Sequence, residues 1–106
     1  MTEKTSEYQL RKILYENNFN KEFLYDSPSK HKILKELFKN SSKNNSGNKG
    51  IPDCIFFNNE ILIIMECKSN NLQFAEKDYL HYYNLINCDY KIYGICFVNE
   101  NNYSIF

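Results

Sequence analysis

The chain predicts an α/β domain built on a mixed four-stranded sheet flanked by helices, in the order α-β-β-α-β-β. Two apolar runs, Ile51 to Phe57 and Ile61 to Lys68, are separated only by Asn58-Asn59-Glu60, which is hairpin spacing. A segment of helical periodicity, about Leu72 to Ile86, follows the second run. Two further strand-like runs, Lys91 to Val98 and Asn102 to Phe106, then meet at Asn99-Glu100-Asn101. The helix between strands makes a crossover, so the sheet is mixed and carries helices on both faces.

Each element has its own warrant. Thr5 or Ser6 is expected to cap a first helix running to about Asn17, with Leu10, Ile13 and Leu14 on one side and Glu7 in the first turn. Asn17-Asn18 ends it. Phe19 to Asp26 is short and mixed, compatible with an edge strand but not counted among the four. Ser27-Pro28-Ser29 is a turn leading into a second helix, about Ser29 to Lys39, striped by Ile33, Leu34, Leu37 and Phe38. Asn40 to Gly50 has no apolar anchor and reads as a loop beside a site. The run Ile61-Leu62-Ile63-Ile64-Met65 is apolar on both faces, as a covered central strand should be.

Composition excludes several classes. A chain of 106 residues makes one domain, and 42% hydrophobic with 25% charged residues is the balance of a soluble globular protein. No apolar run approaches the roughly 20 residues of a membrane span. The start, MTEKTSEYQL, has no signal-peptide core, so a cytoplasmic location is expected. Cys54, Cys67, Cys88 and Cys96 form no C-x-x-C pair, which argues for reduced thiols and against zinc. The last residues are strand-like, which fits a piece of a longer protein.

Zero net charge excludes a generally basic nucleic-acid binder. The distribution is more telling. Lys30, Lys32, Lys35, Lys39, Lys43 and Lys49 face a single acid, Glu36, in that stretch. Asp53, Glu60, Glu66, Glu76 and Asp78 follow, against Lys68 and Lys77. A basic segment beside an acidic centre suits a phosphate-bearing substrate brought to a metal.

The chemistry concentrates between Gly50 and Lys68. Pro52-Asp53 heads one run and Glu66-Cys67-Lys68 ends the next, so a hairpin brings two carboxylates and an ammonium to one end. Strand alternation puts Glu66 and Lys68 on one face and Cys67 on the other. Asp53, Glu66 and the backbone carbonyl of Cys67 offer hard oxygen ligands for Mg²⁺, with Mn²⁺ as a substitute. Such a cation lowers the pKa of its water, and Lys68 can stabilise charge building on a phosphate. Singly, each residue is ordinary: turn chemistry, a solvated strand end, a snorkelling lysine. Jointly they are not, because Glu66 closes a five-residue apolar run, where a charge needs a partner. His31 and His81 pair with no nucleophile and stay outside the mechanism.

Pro-Asp, then Glu-x-Lys after a hydrophobic strand, resembles the signature of the PD-(D/E)XK nucleases, here with the twelve residues Cys54 to Met65 between Asp53 and Glu66. The first helix, SEYQLRKIL, resembles that family's leading helix, with Glu7 as its acidic residue. Ala75-x-x-Asp78-x-x-x-Tyr82 is similar to the A-x-x-Q-x-x-x-Y pattern of the N-terminal nuclease domains of type I restriction R subunits and fused type II restriction-methylation enzymes. The loop before Asp53 is similar too, and the resemblance spans nearly the whole chain.

The resemblance implies a restriction-endonuclease-like core and a Mg²⁺-dependent endonuclease acting on DNA, partnered by helicase or methyltransferase domains or subunits. It implies Asp53, Glu66, Lys68 and Glu7 as catalytic residues, the first two holding metal. Tyr82, with Lys43, Lys49 and Asp78, would contact DNA. Asp78 departs from the family pattern, which has Gln there. Two rivals stand beside this reading: a non-catalytic module that keeps the fold for binding DNA or a protein, and a stand-alone structure-specific nuclease.

Overall fold

The computed structural model describes residues 2–39, 51–86 and 88–106. Thr2, rather than Thr5 or Ser6, caps α1 (Glu3–Glu16), its hydroxyl accepting from the Thr5 amide at 3.1 Å. Asn18, in the left-handed region at φ 67° that Asn tolerates, turns the chain out of α1. A 3₁₀ turn, Lys21–Phe23, leads into β1 (Leu24–Tyr25).

The expected second helix is split. Ser27 caps a 3₁₀ turn over Pro28–Lys30, and His31 caps a shorter α2 (Lys32–Leu37), its Nδ1 accepting from the Ile33 amide at 3.2 Å. Two caps in succession leave His31 extended between them, so the helix cannot run through.

The hairpin forms as expected, with β2 (Cys54–Phe57) antiparallel to β3 (Ile61–Cys67). Asn58 Oδ1 accepts from the amides of Glu60 and Ile61, each at 3.0 Å, and Asn59 takes φ 71° at the tip. Asn71 caps α3 (Leu72–Leu85). This crossover returns the chain to β4 (Lys91–Asn99), parallel to β3, and β5 (Asn102–Ile105) folds back antiparallel on β4.

Among the described residues the sheet therefore has five strands, ordered β1-β2-β3-β4-β5, rather than four. The extra strand is the short edge segment, held by pairing Leu24 with Phe56 and Tyr25 with Ile55.

Strand alternation divides the core into two layers. Ile55, Phe57, Leu62, Ile64 and Cys96 pack against Leu34 and Phe38 and against Ala75, Tyr79, Tyr82 and Ile86 around α3. Cys54, Phe56, Ile63, Met65, Cys67 and Phe97 pack against Leu10 and Leu14 of α1. Helix α3 approaches closely because β4 carries Gly94, where an added Cβ would lie 2.4 Å from the Tyr79 ring. The strand cysteines Cys54, Cys67 and Cys96 are buried free thiols. Among the described residues, no helix is long and apolar enough to cross a membrane.

Candidate active site

Charge gathers where β3 ends. Pairing of Cys54 with Met65 puts Asp53, one step further on, opposite Glu66. Asp53 Oδ2 accepts from the Cys67 amide at 2.8 Å, pinning the start of β2 to the end of β3. The Cys67 carbonyl belongs to this strand end.

Helix α1 reaches the same end. Its buried Ser6 donates to the Phe97 carbonyl at 3.1 Å, and the Lys68 amide donates to that carbonyl as well. Ser6, read as a cap in the sequence, is instead a tether between helix and sheet. One turn along the helix surface, Glu3 and Glu7 face Asp53, and the ligand oxygens of these three carboxylates all lie within 4.8 Å of one another.

Glu66 is not a member of this triad. It is 2% exposed and follows Leu62 and Ile64 in the alternation, on the α3 face rather than the α1 face. Its charge is felt by Lys68, Cys67, Tyr82 and Cys96. Sequence reasoning missed Glu3, although Glu3 and Glu7 are four residues apart and so share a helix face. Placing the cap at Thr5 or Ser6 had left Glu3 outside the helix.

Lys68 is held from the other side. Its Nζ lies 2.9 Å from Asp78 Oδ2, with both side chains mostly covered. Burial works to lower the lysine pKa, but the hydrogen bond and charge of Asp78, helped by Glu3 and Glu66, raise it. Lys68 is thus held as a fixed ammonium.

The Glu7 pKa is raised as well, which for a carboxyl disfavours the charged form. Burial first, then the charge and hydrogen bond of Asp53 and the charge of Glu3, push it up to about 7, against the pull of Arg11. Carboxylates crowded this way share a proton at mildly acid pH and repel above it.

Tyr82 was expected to touch nucleic acid, but it is fully buried beneath the site and has no surface for that contact. Burial and the charges of Glu66, Asp78 and Asp53 raise its phenol pKa, so it stays neutral and supports the site through packing. Lys43 and Lys49 lie outside the described residues. His31 serves as the α2 cap, packed between Tyr25 and Phe57.

The donor set fits Mg²⁺ or Mn²⁺. It is all oxygen and half open to solvent. An octahedral ion with ligands at about 2.1 Å sets neighbouring oxygens about 3 Å and opposite ones about 4 Å apart. Carboxylates within 4.8 Å can close on that geometry with small rotamer shifts. The nearby Cys67 adds no soft ligand, because burial raises its pKa and keeps it a thiol.

No protein family, curated protein or solved structure matches the chain.

Proposed function

We propose that this chain is a Mg²⁺-dependent endonuclease domain that hydrolyses DNA phosphodiesters, of restriction type. One observation carries the reading: the triad Glu3, Glu7 and Asp53 meets at the strand end that also presents Glu66 and the fixed ammonium of Lys68. Asp53 and Glu7 would hold the cation, with Glu3 completing the triad, and the backbone carbonyl of Cys67 would be the further oxygen. When bound, the ion supplies a water of lowered pKa and a counter-charge for the phosphate. Lys68 stabilises the negative charge that builds on the phosphoryl oxygens, and Asp78 keeps it oriented. Glu66, buried behind Lys68, makes that end of the strand favour cations. Water attacks phosphorus in line and gives up a proton to solvent as the P–O bond to the opposite sugar oxygen breaks. That oxygen leaves as a protonated hydroxyl, so no residue forms a covalent intermediate.

Cleavage of duplex DNA in Mg²⁺ by the native chain, and its loss in Asp53→Ala and Lys68→Ala variants with native circular dichroism, tests this. Unchanged cleavage by either variant overturns it. Comparing linear with branched DNA separates a restriction-type domain from a structure-specific nuclease. A partnership with helicase or methyltransferase domains or subunits belongs to the same reading.

A second reading is favoured by the Lys68–Asp78 pair, which neutralises the lysine where the resembled domains carry a neutral Gln. The chain would then be a non-catalytic module binding DNA or a protein. Calorimetry decides: no heat with Mg²⁺ or Mn²⁺ at neutral pH favours this module over the nuclease.

A further inference from the structure

The two edges of the sheet are unlike. At one, β1 is only two residues long and followed by Asp26, which leaves little template for another chain. At the other, β5 is the edge among the described residues and lacks those protections. From Asn101 to Phe106 it carries no charge and no proline, the devices that usually blunt an edge strand.

The hydrogen-bond phase of β5 is set by its pairing. Gly94 and Phe106 exchange both backbone hydrogen bonds, so the alternation turns the Ser104 amide and carbonyl inward too. Tyr103 and Ile105, opposite Phe97 and Ile95, therefore direct their N–H and C=O groups outward, away from β4. Their side chains stand on the α1 face and are 52% and 68% exposed. They form the rim of an apolar groove of about 280 Å³, floored by Leu10, Leu14, Ile95 and Phe97.

We propose that β5 pairs antiparallel with β5 of a second copy of this chain, about a two-fold axis at Ser104. In that register Tyr103 faces Ile105 of the second copy, and Ile105 faces Tyr103. Both are outward-directed pairs, so four backbone hydrogen bonds form and every exposed edge group of the two residues is used. Each pair also sets an aromatic ring beside a β-branched chain, a favourable cross-strand contact. The side chains of the strand itself bring no like charges into the pairing, and Glu76, which accepts from the Ser104 hydroxyl at 2.8 Å, reaches the axis from α3 on one face only.

The exposed portions of Tyr93, Tyr103, Ile105 and Phe106 amount to roughly 400 Å² per copy, taking about 150–250 Å² for a large side chain. Doubled, that is about 800 Å², below the roughly 1,200–2,000 Å² of stable specific interfaces, so the dimer is weak and reversible. It does not depend on the nuclease reading.

Sedimentation equilibrium between about 10 μM and 1 mM, the range of micromolar to millimolar affinities, should show the mass rising from 12.7 kDa towards twice that value. Ile105→Lys places a charge against its own copy and should hold the mass at 12.7 kDa. Tyr8→Lys, on the exposed outer side of α1, should leave the dimer unchanged. The register is tested by Ser104→Cys. A non-hydrogen-bonded pair has its Cα atoms about 4.5 Å apart, within disulfide reach. That variant should form a disulfide-linked dimer on mild oxidation, beyond any linkage the native chain makes through Cys88. A monomer throughout, a dimer that survives Ile105→Lys, or no added cross-link in Ser104→Cys each overturns the proposal.

Discussion

The two long helices reach the same strand end with opposite electrostatics. On the α1 side carboxylates meet a carboxylate: Glu3 and Glu7 face Asp53, and the Glu7 pKa is driven up to about 7. On the α3 side a carboxylate meets an ammonium: Asp78 holds Lys68 at 2.9 Å and the lysine pKa rises. One side is loaded with like charge and the other is matched. A net charge of zero hides this completely. A cation would relieve the like charge crowded on the loaded side, whereas the matched side already pairs its carboxylate with an ammonium. The packing differs in parallel, because Gly94 lets the Tyr79 ring of α3 lie directly on the sheet.

The strongest way to break the contrast is to unload the α1 side. Asp53→Asn keeps an oxygen to accept the Cys67 amide but removes the charge shared by all three carboxylates. Cleavage should fall by about 10²–10³-fold, the cost of losing one well-placed electrostatic group, while the fold persists by circular dichroism. Retained cleavage with undiminished Mg²⁺ binding would dissolve the distinction between the sides. Next in size is Gly94→Ala, which tests the packing half of the contrast. The new methyl meets Tyr79, itself stacked on Phe106 at 5.1 Å, so the ring has no easy retreat. A loss of about 1–3 kcal/mol in denaturant unfolding is expected for such overpacking.

Asp78→Asn unbalances the matched side. Lys68 loses its neutralising charge but keeps a hydrogen-bond acceptor. Because both side chains retain some solvent contact, the loss of stability should be about 1 kcal/mol rather than that of a fully buried pair. The lysine pKa should fall, read by NMR titration of its Nζ. An unmoved titration would mean that Glu66 and Glu3, not Asp78, hold the ammonium.

The matched side was easier to read in the sequence than the loaded one. Apolar content marked β3, and alternation put Glu66 and Lys68 on one face. The spacing of α3 carried Asp78 and Tyr82 together. What sequence could not supply was distance and depth: that Asp78 reaches Lys68, and that Tyr82 lies wholly beneath the surface. On the loaded side the difficulty was local. Thr2, Thr5 and Ser6 all have capping side chains, and only tertiary packing of Ser6 against the Phe97 carbonyl chooses Thr2. That choice adds a turn to α1 and brings in Glu3. Strand β1 escaped a firm reading because two residues show no alternation, and pairing with β2 alone makes them a strand.

The smallest effect bears on the loaded side without metal. Glu7 in the folded chain holds its proton up to about pH 7, against an ordinary value of 4.5. Between those values the unfolded chain has released the proton and the folded chain has not. The folded state therefore binds more protons across that window, and stability falls as pH rises through it. The contribution is full below about 4.5 and gone above about 7. Since Glu7 is only partly covered, solvent screening keeps the effect below about 1 kcal/mol. The melting temperature of metal-free protein should decline from pH 4.5 to 8 on this account, and Glu7→Gln should flatten that decline, because an amide donates to Asp53 at every pH. Adding Mg²⁺ at pH 8 should raise the melting temperature of the native chain more than that of the Glu7→Gln variant. An equal slope in both proteins would mean that the crowding at Asp53 is relieved in solution, and that α1 does not load the strand end at all.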